Sequence, residues 1–328
     1  MERSGAMWSG KRVLVTGGAG FLGSSVSHAL AAKGAEVIAL DAMLPGTGAN
    51  RHNLAGCDVR LVEGDLRSMD LAEVTDGIDA VFNMAAQISH AGSQADPLDD
   101  LSINATAQLR LILALRVRSP KAIVVHGSTR QFYGRPQALP VPESHPISPP
   151  DANGVSKFAG EQYWMLENKV HCRPVVSLRL TNCYGPRLRI MDHRQTFLGI
   201  WFRRVLEGQP FEVWGGAQTR DLAYADDVVA AFIAAAETEA AHGKVFNLGG
   251  SPPISLKALA DTLIAANGGE GCYIEKEFPA DRAAIDIGSY YADDSAFRRV
   301  TGWAPRVGLE EGLRRSLDWY RERLADYV

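Results

Sequence analysis

Short apolar runs alternate with longer amphipathic segments over the first two-thirds of this 328-residue chain. The runs at 12–16, 36–40, 59–63, 80–84, 122–126 and 175–180 predict strands. Helices are expected to start near Phe21, Leu71, Leu101 and Val155. Strands and helices alternating at this spacing imply right-handed βαβ crossovers, hence a mostly parallel sheet covered on both faces. Beyond Asn182 the pattern loosens. A helix over 196–206 leads to a short strand at 211–214, and a helix over 228–236 followed by a strand at 245–248 reads as a return to the main sheet. From Ser255 onward come helices and short strands, ending in an amphipathic stretch at 309–324. The proline-rich stretches 136–150 and 251–253 are short and flanked by patterned sequence, so they read as ordered loops.

Composition changes this picture little. The chain is 46% hydrophobic and 22% charged with net charge −4, ordinary values for a globular protein of two domains or one large α/β unit. Lys and Arg are scattered, so nothing argues for nucleic acid or an anionic membrane as partner. No apolar run reaches the ~18 residues of a membrane span. The opening residues are polar and small, unlike a secretory signal, and a cytoplasmic location is expected. Cys57, Cys172, Cys183 and Cys272 lack CxxC spacing and read as free thiols, with no metal site expected. Asn104-Ala105-Thr106 fits a glycosylation acceptor, which a cytosolic reading makes a coincidence.

The first candidate chemistry lies directly after the first strand. Gly17, Gly20 and Gly23 stand at GxxGxxG spacing and open a helix. Such a turn brings the backbone close to a pyrophosphate, and the helix N-terminus offers free N–H groups to it. Asp41 follows Gly23 by 18 residues, at the end of the second strand, where a carboxylate binds the adenosine ribose hydroxyls. Neither Ala42 nor Met43 is basic, so no partner for a 2′-phosphate is evident and NAD is favoured over NADP. The fold class expected is therefore α/β, a Rossmann-type doubly wound parallel sheet. A smaller, interleaved C-terminal substrate-binding domain is expected beside it, with 1–182 and 223–250 in the first unit and 183–222 and 251–328 in the second.

Further segments occur in a recognisable order: Gly64-Asp65-Leu66, Asn83-Met84-Ala85-Ala86, Ser128-Thr129-Arg130-Gln131-Phe132-Tyr133-Gly134, Asn153-Gly154-Val155-Ser156-Lys157, Arg179 to Pro186, Arg220 to Val228 and Gly302-Trp303-Ala304-Pro305. Over about residues 11–322 the chain resembles the nucleotide-sugar epimerases and dehydratases of the extended short-chain dehydrogenase/reductase family. The resemblance implies that Gly17, Gly20, Phe21, Leu22, Asp41, Asp65, Leu66, Ala85 and Lys157 hold NAD. It implies that Asn182, Phe197, Val213, Arg220 and Arg282 hold a nucleoside-diphosphate sugar, UDP being the favoured nucleotide. It places Thr129, Asn153 and Lys157 at the catalytic positions. It also implies a homodimer built on four helices, here those near 101–117, with Leu101, Leu109, Ile112 and Leu113, and near 155–166, with Val155, Phe158, Met165 and Leu166.

One position departs from the family pattern. In those enzymes a tyrosine four residues before the lysine moves the proton during hydride transfer; this chain has Asn153. A carboxamide does not titrate near neutral pH and cannot be an ordinary general acid or base. Lys157, a water held by Thr129 and Asn153, His90 and His193 remain as alternatives. Tyr163 lies nearly 15 Å along the same helix at ~1.5 Å per residue, too far to substitute. The dehydratases carry Asp-Glu after the catalytic Ser/Thr, where this chain has Arg130 and Gln131, neither able to serve as that acid or base. C4 epimerisation of a UDP-hexose through a transient ketone is the leading expectation. Another oxidoreduction or dehydration of such sugars with a displaced base, and a non-catalytic binding protein, are the alternatives. Transient NADH absorbance on mixing with substrate separates the last from the others.

Overall fold

The structure is a computed structural model and describes residues 7–192, 196–280 and 285–328. Six strands come first: β1 (Arg12–Thr16), β2 (Glu36–Asp41), β3 (Arg60–Glu63), β4 (Ala80–Asn83), β5 (Ile123–Thr129) and β6 (Val175–Leu180). A seventh, β7 (Lys244–Leu248), pairs in parallel with β6 after a long excursion. The sheet order is β3-β2-β1-β4-β5-β6-β7, all parallel. Strands buried on both faces read as continuous apolar runs rather than alternating ones; Val13, Leu14 and Val15 on β1 and Val124 and Val125 on β5 are buried accordingly. The order reverses between β1 and β4, and in such sheets the crevice at the strands' carboxyl ends is where ligands bind.

Helices α1 (Phe21–Ala31), α2 (Ala107–Arg118) and α3 (Ala152–His171) cover the sheet together with α5 (Ala225–Glu237), while α4 (Phe197–Leu206) lies away from it. One face of the sheet packs on α1 and α5 through Val26, Leu30, Phe232 and Ala235. The other packs on α2 and α3 through Leu111, Ile112, Leu115 and Trp164. A second core gathers α4, α6 (Leu256–Ala266) and α7 (Leu309–Arg321) around Trp201, Phe202, Leu259 and Leu317.

Several boundaries differ from the sequence pattern, each for a local reason. The helix expected near Leu101 begins at Pro97, because Asp96 caps it by accepting from the Asp99 amide and proline is favoured at the first helical position. It then runs through a π-helical turn at Ser102–Thr106 into α2. The helix expected near Val155 begins at Ala152, since the Asp151 side chain accepts from the Gly154 amide at 2.7 Å. The helix expected near Leu71 is one turn, Ala72–Thr75. A strand at Tyr273–Lys276, absent from the sequence reading, pairs in parallel with Phe211–Trp214. Asn104 is buried, so the apparent glycosylation acceptor is not accessible in the folded chain. All four cysteines are free.

Candidate active site

A cavity of about 350 Å³ lies along the carboxyl ends of β1, β2, β4 and β5. Its near end is the β1–α1 turn. Gly17 has a φ of +64°, and a Cβ on Gly23 would stand 2.0 Å from the Gly17 carbonyl oxygen, so the turn closes only with glycine there. Gly20, Phe21 and Leu22 bring the first turn of α1 onto the cavity. Asp41, at the end of β2, accepts from the amides of Ala19 at 3.1 Å and Met43 at 2.9 Å. Burial pushes its carboxyl pKa up, against the pull of those amides. Each carboxylate oxygen has two lone pairs, so Asp41 keeps acceptor capacity for ribose hydroxyls. Asp65, Leu66 and Ala85 line the same end, with Asp65 held by Arg67 at 2.6 Å. A cradle in which only glycine fits, a helix N-terminus and an acceptor on β2 together suit an adenine dinucleotide, so the residues present fit NAD.

The far end is a polar shelf. Thr129 closes β5, and its hydroxyl accepts from the Gln131 amide at 3.2 Å. The neighbouring Ser128 is committed elsewhere, donating to Glu161 at 2.7 Å. Lys157 and Asn153 line the cavity one helical turn apart on α3. Burial pulls the Lys157 ammonium down to about 8, with Asp100 and Asp151 pulling the other way. Asn182 lines the cavity too and accepts from the Arg130 guanidinium, which lies 4.8 Å over the Tyr290 ring.

Asn153 is fully engaged. Its amide nitrogen donates to the Gln87 carbonyl at 3.0 Å and to Asp100 Oδ1 at 2.9 Å. Asp100 is buried, also accepts from Asn104 at 3.1 Å, and its Oδ2 has no partner among the described residues. Asn104 sits in the π-helical turn and bonds Gln87 in both directions. Such turns recur at functional sites. A buried polar stripe, Asp100, Asn104 and Gln108, thus lies beneath the shelf. Its signal in the sequence is the four-residue spacing of three polar residues along an apolar helix, which puts them on one face.

All the expected cofactor residues and the three expected catalytic residues line this one cavity, as does Asn182. Arg220, Phe197 and Val213 do not. Arg220 is buried, donates to the carbonyls of Thr219 and Gly288 and lies 3.5 Å from Asp286. Phe197 packs edge-on to Trp201, and the Val213 side chain is inside the second core. Arg282 and His193 lie outside the described residues. Sequence reasoning missed Asp100, Arg130 as a wall of the cavity, and the contact between His90 and Asp151.

The model of the NAD dependent epimerase/dehydratase family matches residues 13–249. The chain belongs to that family. It is similar to a UDP-glucose 4-epimerase of Mycolicibacterium smegmatis, 32% identical over 317 residues that span 95% of this chain and 99% of the relative. It is also similar to a dTDP-glucose 4,6-dehydratase of Streptomyces niveus, 28% identical over 96% of this chain and 94% of the relative. Among solved structures, the UDP-glucose 4-epimerase of Thermus thermophilus in complex with NAD superposes with a TM-score of 0.84 at 28% identity, covering 95% of this chain and 99% of that one. The protein is thus a member of the NAD dependent epimerase/dehydratase family, with the Rossmann-like fold of its relatives. Among the described residues no helix is long and apolar enough to cross a membrane.

Proposed function

We propose that the protein interconverts the C4 epimers of a UDP-hexose through a transient 4-keto sugar. The observation that carries this reading is the composition of the shelf. Thr129 and Lys157 stand at the end of a dinucleotide cradle, while the two positions after Thr129 hold Arg130 and Gln131. A 4,6-dehydratase needs an acid to protonate the leaving C6 hydroxyl and a base to take the C5 proton, and neither a guanidinium nor a carboxamide does either. Turning a keto sugar over and reducing its other face needs no second acid–base pair. The UDP-glucose 4-epimerases among the relatives support the nucleotide and the position.

NAD would take a hydride from the sugar carbon and return it. Gly17, Gly20, Phe21, Leu22, Asp41, Asp65, Leu66 and Ala85 would bind it, with Lys157 on the nicotinamide ribose. The Thr129 hydroxyl would hydrogen-bond the sugar oxygen. Asn182, next to Arg130, would meet the sugar diphosphate. We assign Arg220, Phe197, Val213 and Arg282 to the nucleotide end, and divide the chain into a cofactor unit of 1–182 with 223–250 and a sugar unit of 183–222 with 251–328. The test is NMR of UDP-glucose and UDP-galactose incubated with the NAD-loaded protein. Interconversion is expected. A 4-keto-6-deoxy product would overturn the reading in favour of dehydration, and no conversion or NADH across UDP-, GDP-, CDP- and dTDP-hexoses would overturn it in favour of a binding protein.

A further inference from the structure

Among the described residues lining the cavity there is no tyrosine, and Asn153, which has no titratable group, is held by two hydrogen bonds. A different group on the cavity wall has the build of a proton carrier. His90 opens the short helix His90–Ala95, lines the cavity, and leaves 43% of its side chain exposed. Its Nδ1 lies 2.7 Å from Asp151 Oδ2. Asp151 is itself immobile. Its other oxygen caps α3 through the Gly154 amide at 2.7 Å, and Oδ2 also accepts from Gln131 at 3.2 Å. Burial would raise the Asp151 carboxyl pKa, but its donors, His90 first, outweigh this and hold it below the usual carboxylate range.

A carboxylate accepts and does not donate, so the hydrogen on this contact belongs to His90 Nδ1. The tautomer follows: Nε2 carries the lone pair, and it has no hydrogen-bond partner among the described residues. A carboxylate that fixes the imidazole tautomer and stabilises the imidazolium is the arrangement of the Ser-His-Asp hydrolases. Asp151 is also tied through Gln131 to Thr129, since the Gln131 side chain bonds Asp151 and its amide bonds the Thr129 hydroxyl. The dyad and the hydroxyl that would hold the sugar oxygen thus share one hydrogen-bonded frame.

We propose that His90 is the proton carrier of this enzyme in place of the absent tyrosine, with Asp151 as its positioning residue. The assignment rests on the epimerase reading above. With NAD bound, which would accept the C4–H pair as hydride and later return it to the other face of C4, Nε2 would take the proton of the sugar 4-hydroxyl as the O–H pair became the second C=O bond. On return the carbonyl pair would go back to oxygen and Nε2–H would give it the proton. No further reactant is needed.

The charged groups nearest His90 on the elements packed against its helix are Asp151 and Lys157 on α3 and Asp99 and Asp100 on the Pro97–Leu101 helix. Asp99 turns to Arg67 and Asp100 to Asn153 and Asn104. Lys157 is the rival base. It shares the cavity and its pKa is brought to about 8, but it would have the nicotinamide ribose to hold and has, among the described residues, no hydrogen-bond partner that would relay its proton.

The first experiment uses the protein without substrate. Nitrogen-15 NMR of the histidines should show neutral His90 with Nδ1 protonated and Nε2 bare; the opposite tautomer overturns the proposal. In the NAD-loaded enzyme, His90→Gln should lower kcat for UDP-glucose by ~10²–10⁴-fold while its calorimetric Kd for UDP-glucose moves less than ~3-fold, and added imidazole should restore part of the rate to His90→Gly. In Asp151→Asn the same nitrogen-15 spectra should show neutral His90 losing its preference for the Nδ1-protonated tautomer, because the carboxylate that accepts from Nδ1 is gone. His90→Gln turning over within ~3-fold of wild type overturns the proposal and leaves the epimerase reading standing. So does a wild-type acid limb near pH 8 that persists in His90→Gln, which would assign the proton to Lys157. A wild type inert toward every sugar nucleotide tested overturns both.

Discussion

Asn153 stands where the family resemblance of the sequence leads one to expect a tyrosine, and its role is measurable without knowing the substrate. Its side-chain amide makes one hydrogen bond to a buried carboxylate and one to a backbone carbonyl. In Asn153→Ala both are lost. Gln87 keeps the Asn104 donor at 3.2 Å, and Asp100 Oδ1 keeps Asn104 at 3.1 Å, but Oδ2 is already without a partner. A hydrogen bond to a charged group is worth ~1.5–3 kcal/mol and one to a neutral carbonyl ~1, so the expected loss is about 2–4 kcal/mol. Unfolding entropy of ~2.1 cal/mol/K per residue gives about 0.7 kcal/mol/K for a chain of this size, so Tm should fall by about 3–6 °C. Scanning calorimetry of both proteins at equal NAD saturation is the assay, because bound cofactor stabilises the native state by mass action. A double-mutant cycle with Asp100→Ala should return a coupling above ~1 kcal/mol. A Tm within 1 °C of wild type, or additive mutations, would refute the account of Asn153 as the partner of Asp100. Asn153→Tyr should also lose stability and gain no NADH formation, since a phenol must enter a site with almost no exposed surface and offers Asp100 one donor at most.

Two further outcomes are expected. Asp41→Ala should weaken NAD binding by ~1–3 kcal/mol, the scale of losing a charged acceptor, and calorimetry showing tighter NADP than NAD in the wild type would remove Asp41 from that role. A stripe of exposed Leu98, Leu101, Leu113 and Val117 on one helical segment faces solvent, as do Val155, Leu166 and Val170 on α3. Exposed apolar area of this kind is characteristic of an interface. We expect a homodimer through these helices, with Leu113→Glu and Leu166→Glu together giving a monomer; light scattering that finds the wild type monomeric at micromolar concentration would sink this.

The strands and the cofactor turn were legible because their signals are local. Continuous apolar runs mark strands buried on both faces, and the spacing of Gly17, Gly20 and Gly23 marks a backbone that a Cβ would obstruct. Exits and small pairings were less legible. Tyr273–Lys276 is short and mostly exposed, with two charged residues, and is a strand only because Phe211–Trp214 lies beside it. The site divided the same way. Thr129, Lys157 and Asn182 could be read from motifs. Asp100 could not, since an aspartate in a helix is ordinarily solvated, and only tertiary packing shows that it lies under Asn153. His90 could be listed as a candidate, but its pairing with Asp151 spans 61 residues and depends on the register of α3.

If Asn153 were a lesion in a decaying site, its amide would be idle or disordered. Instead it satisfies a carboxylate whose burial would otherwise be costly, in a stripe that continues through Asn104 to Gln108 and on to Asn83 and Trp164. Asp100 Oδ1 accepts from Asn153 and Asn104 while Oδ2 has no partner among the described residues, so removing Asn153 would leave a buried carboxylate with one donor. The bond also ties the first turn of α3 to the Pro97–Leu101 helix. That turn begins at Asp151, which caps the helix and holds His90 with the same carboxylate. Asn153 and the proposed proton carrier His90 are therefore linked through two positions of one helical turn.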